Sequence, residues 1–238
     1  MSASITRDLL YLAALLHDIG KFYQRADENP ASQSHKISKE IKNLEDFYCP
    51  RHPNGYRTHK HVLWTAQFFE DHKEFFCRLL GNTSSYEQLK NTAARHHNVS
   101  PGALWEVILQ KADHWASGAD RTQEEGQKDA QHEGEAEKSW DSFKKVRMRS
   151  LFESLFRESK SFPYTWHLPV APLQLDAAFF PTQEEESPNY EALWDDFQKE
   201  VRILTQRFKH SSSQRLRFFA ESLLPLLHKY LVTVPSST

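Results

Sequence analysis

The sequence predicts a mainly α-helical protein, in which a bundle of helices is followed by a smaller, mostly helical region. Apolar residues recur at helical spacing along several long segments. Glycine is scarce, with 7 among 238 residues, which favours helices and disfavours a glycine-rich phosphate loop. Hydrophobic residues make up 39% of the chain and charged residues 26%, a composition typical of folded globular proteins rather than disordered ones.

Helical spacing of apolar side chains defines the helices of the predicted bundle. The first helix covers about residues 4–24, with Gly20 weakening its last turn, and is expected to be central because it is apolar nearly all round. The second covers residues 58–80 and the third residues 84–97. The fourth opens at Ser100-Pro101 and continues to residue 116. Its predicted buried stripe consists of Leu104, Ile108, Leu109 and Ala112.

The composition changes after residue 117, which predicts a boundary between residues 1–117 and the rest. Residues 118–141 carry eight acidic and three basic residues with few apolar anchors, as expected for a flexible, solvated linker or loop. Residues 142–238 form the second region, with one candidate short strand at residues 164–168. A helix opens at Ser187-Pro188, and a last helix over residues 212–230 should bend at Pro225.

Charge and cysteine content exclude several classes of protein. The chain has 30 Lys+Arg against 32 Asp+Glu and a net charge of −2, so nucleic acid would have to be held by a local patch rather than by bulk charge. Two cysteines, Cys49 and Cys77, are too few for a disulfide scaffold and fit a reducing cytosol, which predicts a cytoplasmic protein. The sequence shows neither a signal peptide nor a run of roughly 18 apolar residues, so no membrane span is expected.

The dipeptide His17-Asp18 places two ionisable groups inside an apolar run at residues 15–19. Burying an aspartate costs several kcal/mol unless it is paired or bound to metal. With 13 histidines in the chain, chance alone gives roughly 0.7 copies of this dipeptide. A pair satisfied by ordinary hydrogen bonds is therefore the simpler interpretation of the dipeptide by itself.

Other histidines and aspartates occupy inward positions on the remaining helices of the predicted bundle. His61 begins the second helix, His96-His97 lies near the end of the third, and Asp113 is one turn beyond Leu109 in the fourth. Imidazole and carboxylate ligands suit borderline transition metals, and a carboxylate can bridge two ions. The pattern is consistent with a metal site, but the spacing does not by itself require one.

The chain resembles the HD metal-dependent phosphohydrolase superfamily in three motifs. The first is the run Leu-Leu-His-Asp-Ile-Gly-Lys at residues 15–21. The second is His61 with Thr65-Ala66, and the third is His96-His97 with Asp113. In most members the helix with a single histidine precedes the His-Asp helix. The reverse order found here resembles a circularly permuted HD domain.

Further runs resemble the N-terminal region of the large polymerase-like subunit of type III-A CRISPR effector complexes. These runs lie at residues 22–26, 58–64, 97–101 and 112–121. Runs at residues 149–152, 190–194 and 229–238 resemble the stretch that leads to the first palm domain of that family. The glycine-rich nucleotide site, paired aspartates and zinc-binding cysteines of the family are missing. The resemblance thus implies a fragment truncated before the first palm domain, without cyclic oligoadenylate synthesis.

This resemblance implies an HD-domain helical bundle that acts as a metal-dependent nuclease, hydrolysing phosphodiester bonds of single-stranded DNA in antiviral CRISPR interference. One or two divalent ions are implied, from among Mn, Ni, Co, Zn and Mg. Catalytic roles are implied for His17, Asp18 and Lys21, and contacts with substrate phosphate for Lys21 and Arg25. Implied partners are single-stranded DNA and, in the full-length family, guide RNA, target RNA and other effector subunits, but no membrane. The implied metal ligands are His17, Asp18, His61, His96, His97 and Asp113.

Alternative interpretations remain open at this stage. The HD fold can serve as a docking module with weak or lost catalysis in a multisubunit RNA-guided complex, or as a nucleotide phosphohydrolase. Lys21 and Arg25 can be solvated helix-end cations. Tyr23, Trp64 and Trp115 could stack on bases, although core packing is the favoured interpretation. The basic run at residues 144–149 could track a nucleic-acid backbone, although a solvated helix face is more typical.

Overall fold

The computed structural model describes residues 3–27, 36–116, 145–150, 152–153, 166–183, 187–208 and 215–235. Within these ranges the chain is mainly α-helical and forms only isolated β-bridges, which confirms the predicted fold class. The predicted acidic linker, residues 118–141, lies outside the described residues. None of the helices in the described part of the chain combines the length and apolarity that a membrane span requires.

Helices α1 to α8 form the N-terminal bundle, in which α2 packs most extensively on α5, and α7 packs on α1, α5, α6 and α8. Two short helices, α3 and α4, lie in the segment between α2 and α5. The bounds are Ala3–Leu16 for α1, Ile19–Ala26 for α2, Lys39–Lys42 for α3 and Glu45–Tyr48 for α4. They are His61–Asp71 for α5, Lys73–Leu80 for α6, Thr83–Ala94 for α7 and Leu104–Ala116 for α8.

The prediction of one continuous first helix is wrong, because the chain breaks at His17-Asp18 between α1 and α2. A tertiary contact holds the break. The Thr65 hydroxyl donates to the His17 carbonyl at 2.9 Å and accepts from the Gly20 N–H at 3.1 Å. A Cβ at Gly20 would lie 2.0 Å from the His61 carbonyl oxygen. Gly20 therefore allows α2 to approach α5 closely, which is a different role from the predicted weakening of a helix end.

The predicted second helix is likewise divided, with His72 between α5 and α6. The predicted buried stripe of α8 is also largely wrong. Leu109 is buried, but Leu104 and Ile108 are 63% and 43% exposed, and Ala112 is exposed too. The inward face carries polar residues with partners instead. Glu106 accepts from the Ser100 N–H at 2.7 Å, and Asp113 lies 3.4 Å from the His17 imidazole.

The two C-terminal helices pack directly on the N-terminal bundle. Helix α9 spans Tyr190–Arg207 and contacts α2, while α10 spans Arg215–Leu231, contains Pro225 and contacts α1 and α6. The Trp194 ring lies 4.9 Å from the Phe22 ring and stacks on the Tyr23 ring at 4.3 Å. The buried apolar side chains form one cluster from α1 to α10. Described helices on both sides of residues 118–141 therefore share one core.

Residues 164 and 165 of the predicted strand at residues 164–168 lie outside the described part of the chain, and the remaining three residues form only isolated bridges. His167 pairs with Thr182 through two backbone hydrogen bonds of 2.9 Å, and it also pairs with Arg149. A 3-10 turn, Ala177–Phe179, lies between the paired residues His167 and Thr182. This irregular segment is anchored to α10 by the Leu173 N–H, which donates to the Lys229 carbonyl at 2.7 Å.

Candidate metal centre

The structure brings all six of the predicted metal ligands together at one end of the bundle. They come from the break between α1 and α2, the first residue of α5, the segment that follows α7, and the third turn of α8. They form two overlapping groups, in each of which the ligand atoms lie within 4.8 Å of one another. One group is Asp18, His61, His96 and His97, and the other is His17, His96 and Asp113.

The Asp18 carboxylate lies between the two groups. Its Oδ1 atom is 3.3 Å from His61 Nε2 and 3.8 Å from His96 Nε2. Its Oδ2 atom is 3.4 Å from His17 Nε2 and accepts a hydrogen bond of 2.7 Å from Lys21 Nζ. Because each oxygen faces a different set of nitrogens, this carboxylate has the position of a ligand that can bridge two ions.

Helix ends orient two of the imidazoles in the same way. His17 Nδ1 lies 2.7 Å from the Ala14 carbonyl oxygen, and His96 Nδ1 lies 2.7 Å from the Ala93 carbonyl oxygen. These carbonyls belong to the last turns of α1 and α7, where the helix leaves its acceptors without backbone partners. Since a carbonyl oxygen only accepts, Nδ1 carries a proton in both rings, which leaves Nε2 as the atom that faces the centre.

Buried polar atoms without hydrogen-bond partners mark the middle of the site. Within the described residues, none is found for Nε2 of His17, His61, His96 or His97, or for Oδ1 of Asp18. A buried polar atom left unsatisfied costs about 1–3 kcal/mol, so such a concentration is unfavourable unless another group satisfies it. Imidazole nitrogens and a carboxylate oxygen are the donors that a borderline divalent ion binds. The residues therefore fit a transition metal.

Electrostatics in the metal-free chain favour a neutral imidazole at most of these positions. Burial lowers the pKa of His61, and burial together with the charge on His17 lowers the pKa of His96 to about 3. Burial and the neighbouring His96 lower the pKa of His97 as well. The neutral imidazole is the form that coordinates metal, so these three rings are ready to bind.

His17 differs from the other rings because two carboxylates face its Nε2 atom. Burial lowers its pKa, but the carboxylates of Asp113 and Asp18, each 3.4 Å from Nε2, outweigh burial and raise the pKa to about 10. Burial works against ionisation of Asp18, yet the imidazoles of His17 and His61, 3.4 Å and 3.3 Å from its oxygens, hold the Asp18 pKa well below its ordinary range. In the metal-free chain His17 is therefore protonated, and its positive charge lies between the carboxylates of Asp18 and Asp113.

The two residues predicted to contact phosphate, Lys21 and Arg25, lie in different surroundings. Lys21 is half-buried and bonded to Asp18, at the edge of the centre. Arg25 is 3% exposed, and its Nη2 atom donates to the Pro235 carbonyl at 3.2 Å. Its guanidinium also lies 5.7 Å from the centre of the Tyr190 ring. Arg25 therefore joins α2 to the C-terminal region and does not face the ligand groups, so its predicted contact with substrate receives no support.

The predicted core aromatics divide into two classes. Tyr23 and Trp64 are buried and donate hydrogen bonds to Asp71 and Asp27, respectively, as packing interactions predict. Trp115 is 83% exposed, so the prediction that it packs in the core is wrong. Of the basic run at residues 144–149, Arg147 donates to the Leu168 carbonyl, and residue 144 lies outside the described part of the chain.

Sequence reasoning did not identify the residues that hold the ligands in place. Thr65 was predicted only to be part of a motif and was given no role. Its fully buried hydroxyl nevertheless holds the break that presents His17 and Asp18. The one indication in the sequence was its position one turn after His61, within the mostly apolar run of residues 62–69. The sequence could not indicate that the carbonyls of Ala14 and Ala93 orient imidazoles, because a backbone acceptor is present at every residue.

Comparisons with known proteins show which family the chain belongs to. A curated relative from Methanocaldococcus jannaschii is named "CRISPR system single-strand-specific deoxyribonuclease Cas10/Csm1 (subtype III-A)". It is 27% identical over 231 residues, which cover 96% of this chain and 24% of the relative, so the chain spans about a quarter of that protein's length. This similarity confirms the resemblance inferred from the motif order. No solved structure matches the chain. The family model described as "HD domain" matches residues 2–139, and the chain therefore belongs to the HD domain family.

Proposed function

We propose that this chain is a metal-dependent nuclease domain that hydrolyses phosphodiester bonds of single-stranded DNA. The observation that carries the proposal is the convergence of four unpartnered imidazole nitrogens on the Asp18 carboxylate, among the described residues. Membership of the HD domain family supports hydrolysis at a metal centre. The name of the archaeal relative, a single-strand-specific deoxyribonuclease, supports the choice of substrate.

The two ligand groups support binding of one or two divalent ions by this chain. The donor atoms are mostly imidazole nitrogens, which favour Mn, Co, Ni or Zn over Mg, because Mg prefers oxygen ligands. Such an ion, when bound, supplies Lewis-acid catalysis and a water nucleophile at neutral pH. We propose as ligands the same six residues that the sequence indicated, His17, Asp18, His61, His96, His97 and Asp113.

The protein's own groups would orient the substrate and the ligands. Asp18 presents one oxygen to each ligand group, and Asp113 holds the His17 imidazole from the other side at 3.4 Å. Lys21 holds Asp18 Oδ2 and brings a positive charge to the edge of the centre. We propose that this ammonium also contacts a non-bridging oxygen of the scissile phosphate, where charge increases during hydrolysis.

The relative's name also supports a place in a CRISPR system. We propose that the domain serves antiviral interference in the cytoplasm, as one part of a longer effector subunit that meets guide RNA, target RNA and other subunits. Single strands are the favoured substrate because a duplex would first have to separate and unstack before a strand could enter a site between helices.

The experiment that tests the proposal begins with metal analysis of the purified chain. Cleavage of an end-labelled single-stranded oligonucleotide is then measured with Mn²⁺, Co²⁺ or Ni²⁺, beside the matching duplex. We expect cleavage of the single strand, slow because partner subunits do not position it. The double variant His17→Ala with Asp18→Ala should lose activity by orders of magnitude, because it removes two ligands.

A matched control is Lys199→Ala, an exposed side chain on α9 that pairs only with Asp196 among the described residues. This variant should cut like the parent. A double variant that cuts as fast as the parent would mean that a contaminant or another site is responsible. A parent that binds metal but cuts no single strand with any divalent ion would favour the docking-module alternative. Preferential hydrolysis of free nucleotides would favour a nucleotide phosphohydrolase.

A further inference from the structure

An exposed histidine lies at the outer edge of the metal centre. His59 stands two residues before α5 and belongs to neither ligand group. The centre of its ring lies 4.0 Å from that of His97, with the two planes tilted by 37°. Its ring centre is 6.2 Å from that of His61. His59 thus covers a candidate ligand on the solvent side of the centre.

The backbone at His59 adopts a conformation that disfavours an L-residue. Its φ is 55°, and among the described residues it is the one position outside glycine with a positive φ. A side chain in this region crowds its own backbone, so such residues persist where the surroundings or the function require them. The His59 carbonyl accepts from the Val62 N–H at 3.2 Å, which starts α5 while the His59 ring packs on His97.

A series of imidazole rings connects His59 with the buried part of the centre. The His97 ring lies 3.9 Å from the His96 ring, which in turn lies 4.9 Å from the His17 ring. Exposure falls along the series, from exposed His59 through half-buried His97 to fully buried His96. A strand that approaches from solvent and touches His59 is therefore one ring away from the candidate ligands.

We propose that His59 binds a phosphate of the substrate strand and positions the strand at the metal centre. The inference rests on the proposed nuclease function and adds a substrate-binding residue to it. His59 Nδ1 lies 3.0 Å from the Thr58 hydroxyl. If that hydroxyl donates to Nδ1, the ring proton lies on Nε2, from which a neutral imidazole can donate to a phosphate oxygen. The contact requires no change in protonation.

The test compares variants that separate the ring from the backbone. His59→Gly removes the ring and suits the left-handed conformation, and His59→Asn keeps a polar side chain that tolerates it. His228→Ala is the matched control, because His228 is an exposed histidine on α10. Binding of a fluorescein-labelled oligothymidine is followed by anisotropy in Ca²⁺. Mn²⁺ binding is followed by calorimetry, and KM and kcat are measured with the oligonucleotide.

We expect His59→Gly to weaken oligonucleotide binding and to raise KM by about tenfold or more, the loss of one hydrogen bond to a charged group. His59→Asn should lie between His59→Gly and the parent. Mn²⁺ affinity should stay at the parent value, and the midpoint of thermal unfolding should not fall, since glycine relieves the backbone conformation. The control should match the parent in every measurement.

Three results would overturn the inference. The first is oligonucleotide binding by His59→Gly within about twofold of the parent, and the second is a parent that binds no oligonucleotide. The third is loss of Mn²⁺ affinity in His59→Gly, which would make His59 a metal ligand. The anisotropy measurement needs no cleavage, so it decides the role of His59 even if the parent proves inactive and the proposed nuclease function fails.

Discussion

Replacing Gly20 by alanine should damage both the stability of the bundle and the metal centre. The added Cβ would lie 2.0 Å from the His61 carbonyl oxygen and 2.5 Å from Thr65 N and Oγ1. Ordinary contact begins at 3.4 Å, so α2 and α5 would have to separate by about 1.4 Å. The neighbouring atoms include backbone atoms of a packed helix, so a change of side-chain rotamer cannot relieve the clash.

The expected loss of unfolding free energy in Gly20→Ala is the sum of destabilising and stabilising contributions. Overpacking of this kind costs about 1–3 kcal/mol. Stretching the hydrogen bonds that Thr65 makes to His17 and Gly20 adds about 1 kcal/mol for each bond. The better helix propensity of alanine returns about 1 kcal/mol. The net loss should be about 2–4 kcal/mol, which a domain with a typical unfolding free energy of about 5–15 kcal/mol can survive.

Urea denaturation gives the loss of stability, and calorimetry with Mn²⁺ tests the centre in the folded variant. Mn²⁺ affinity should fall, because Asp18 lies on one side of the clash and His61 on the other. Gly81→Ala is the matched control. Gly81 has a φ of 80° and nothing within 4 Å of an added Cβ, so its replacement should cost about 1 kcal/mol and leave metal binding intact. Gly20→Ala with parental stability and Mn²⁺ affinity would refute the close approach of α2 and α5.

Three further predictions follow from the described contacts. Arg25→Met should lower the midpoint of thermal unfolding, because it leaves the Pro235 carbonyl without this donor, yet leave Mn²⁺ affinity unchanged in calorimetry; loss of metal binding would contradict the placement of Arg25. Trp115→Ala should change the unfolding free energy by less than about 0.5 kcal/mol, because the ring is 83% exposed; a larger loss in urea denaturation would mean that the ring is packed. In the metal-free protein the raised pKa of His17 contributes stability that is complete below its unfolded pKa of about 6.5 and is lost as pH rises through about 10. Asp113→Asn should flatten this part of the curve of unfolding free energy against pH.

The sequence predicted which histidines and aspartates converge, but it did not predict the break that presents His17 and Asp18. Apolar periodicity continues through that point, so a local pattern indicates one helix. The break depends on Thr65, whose hydroxyl meets the His17 carbonyl across 48 positions of sequence. Contacts of this kind form only when helices pack together, so the helical periodicity of one segment cannot predict them.

The predicted burial of α8 was wrong for a related reason, and Arg25 lies in surroundings that the sequence did not predict. Periodicity assigns burial to apolar residues, whereas the inward face of α8 carries Glu106 and Asp113 because each finds a polar partner there. The family resemblance implied that Arg25 contacts substrate phosphate. The helix breaks at residues 17–18, and the Arg25 side chain donates instead to the Pro235 carbonyl, 210 positions away in the sequence.

The imidazole of His96 is a candidate ligand in both groups of donor atoms. It belongs to both ligand groups, yet its Nδ1 atom is committed to the Ala93 carbonyl, so a single lone pair on Nε2 remains for coordination. If two ions enter, they compete for this one atom, and the ion that fails to obtain it must accept water or substrate in that direction. Occupancy of the two positions would then be unequal, and successive ions would bind with separate affinities rather than as equivalent sites.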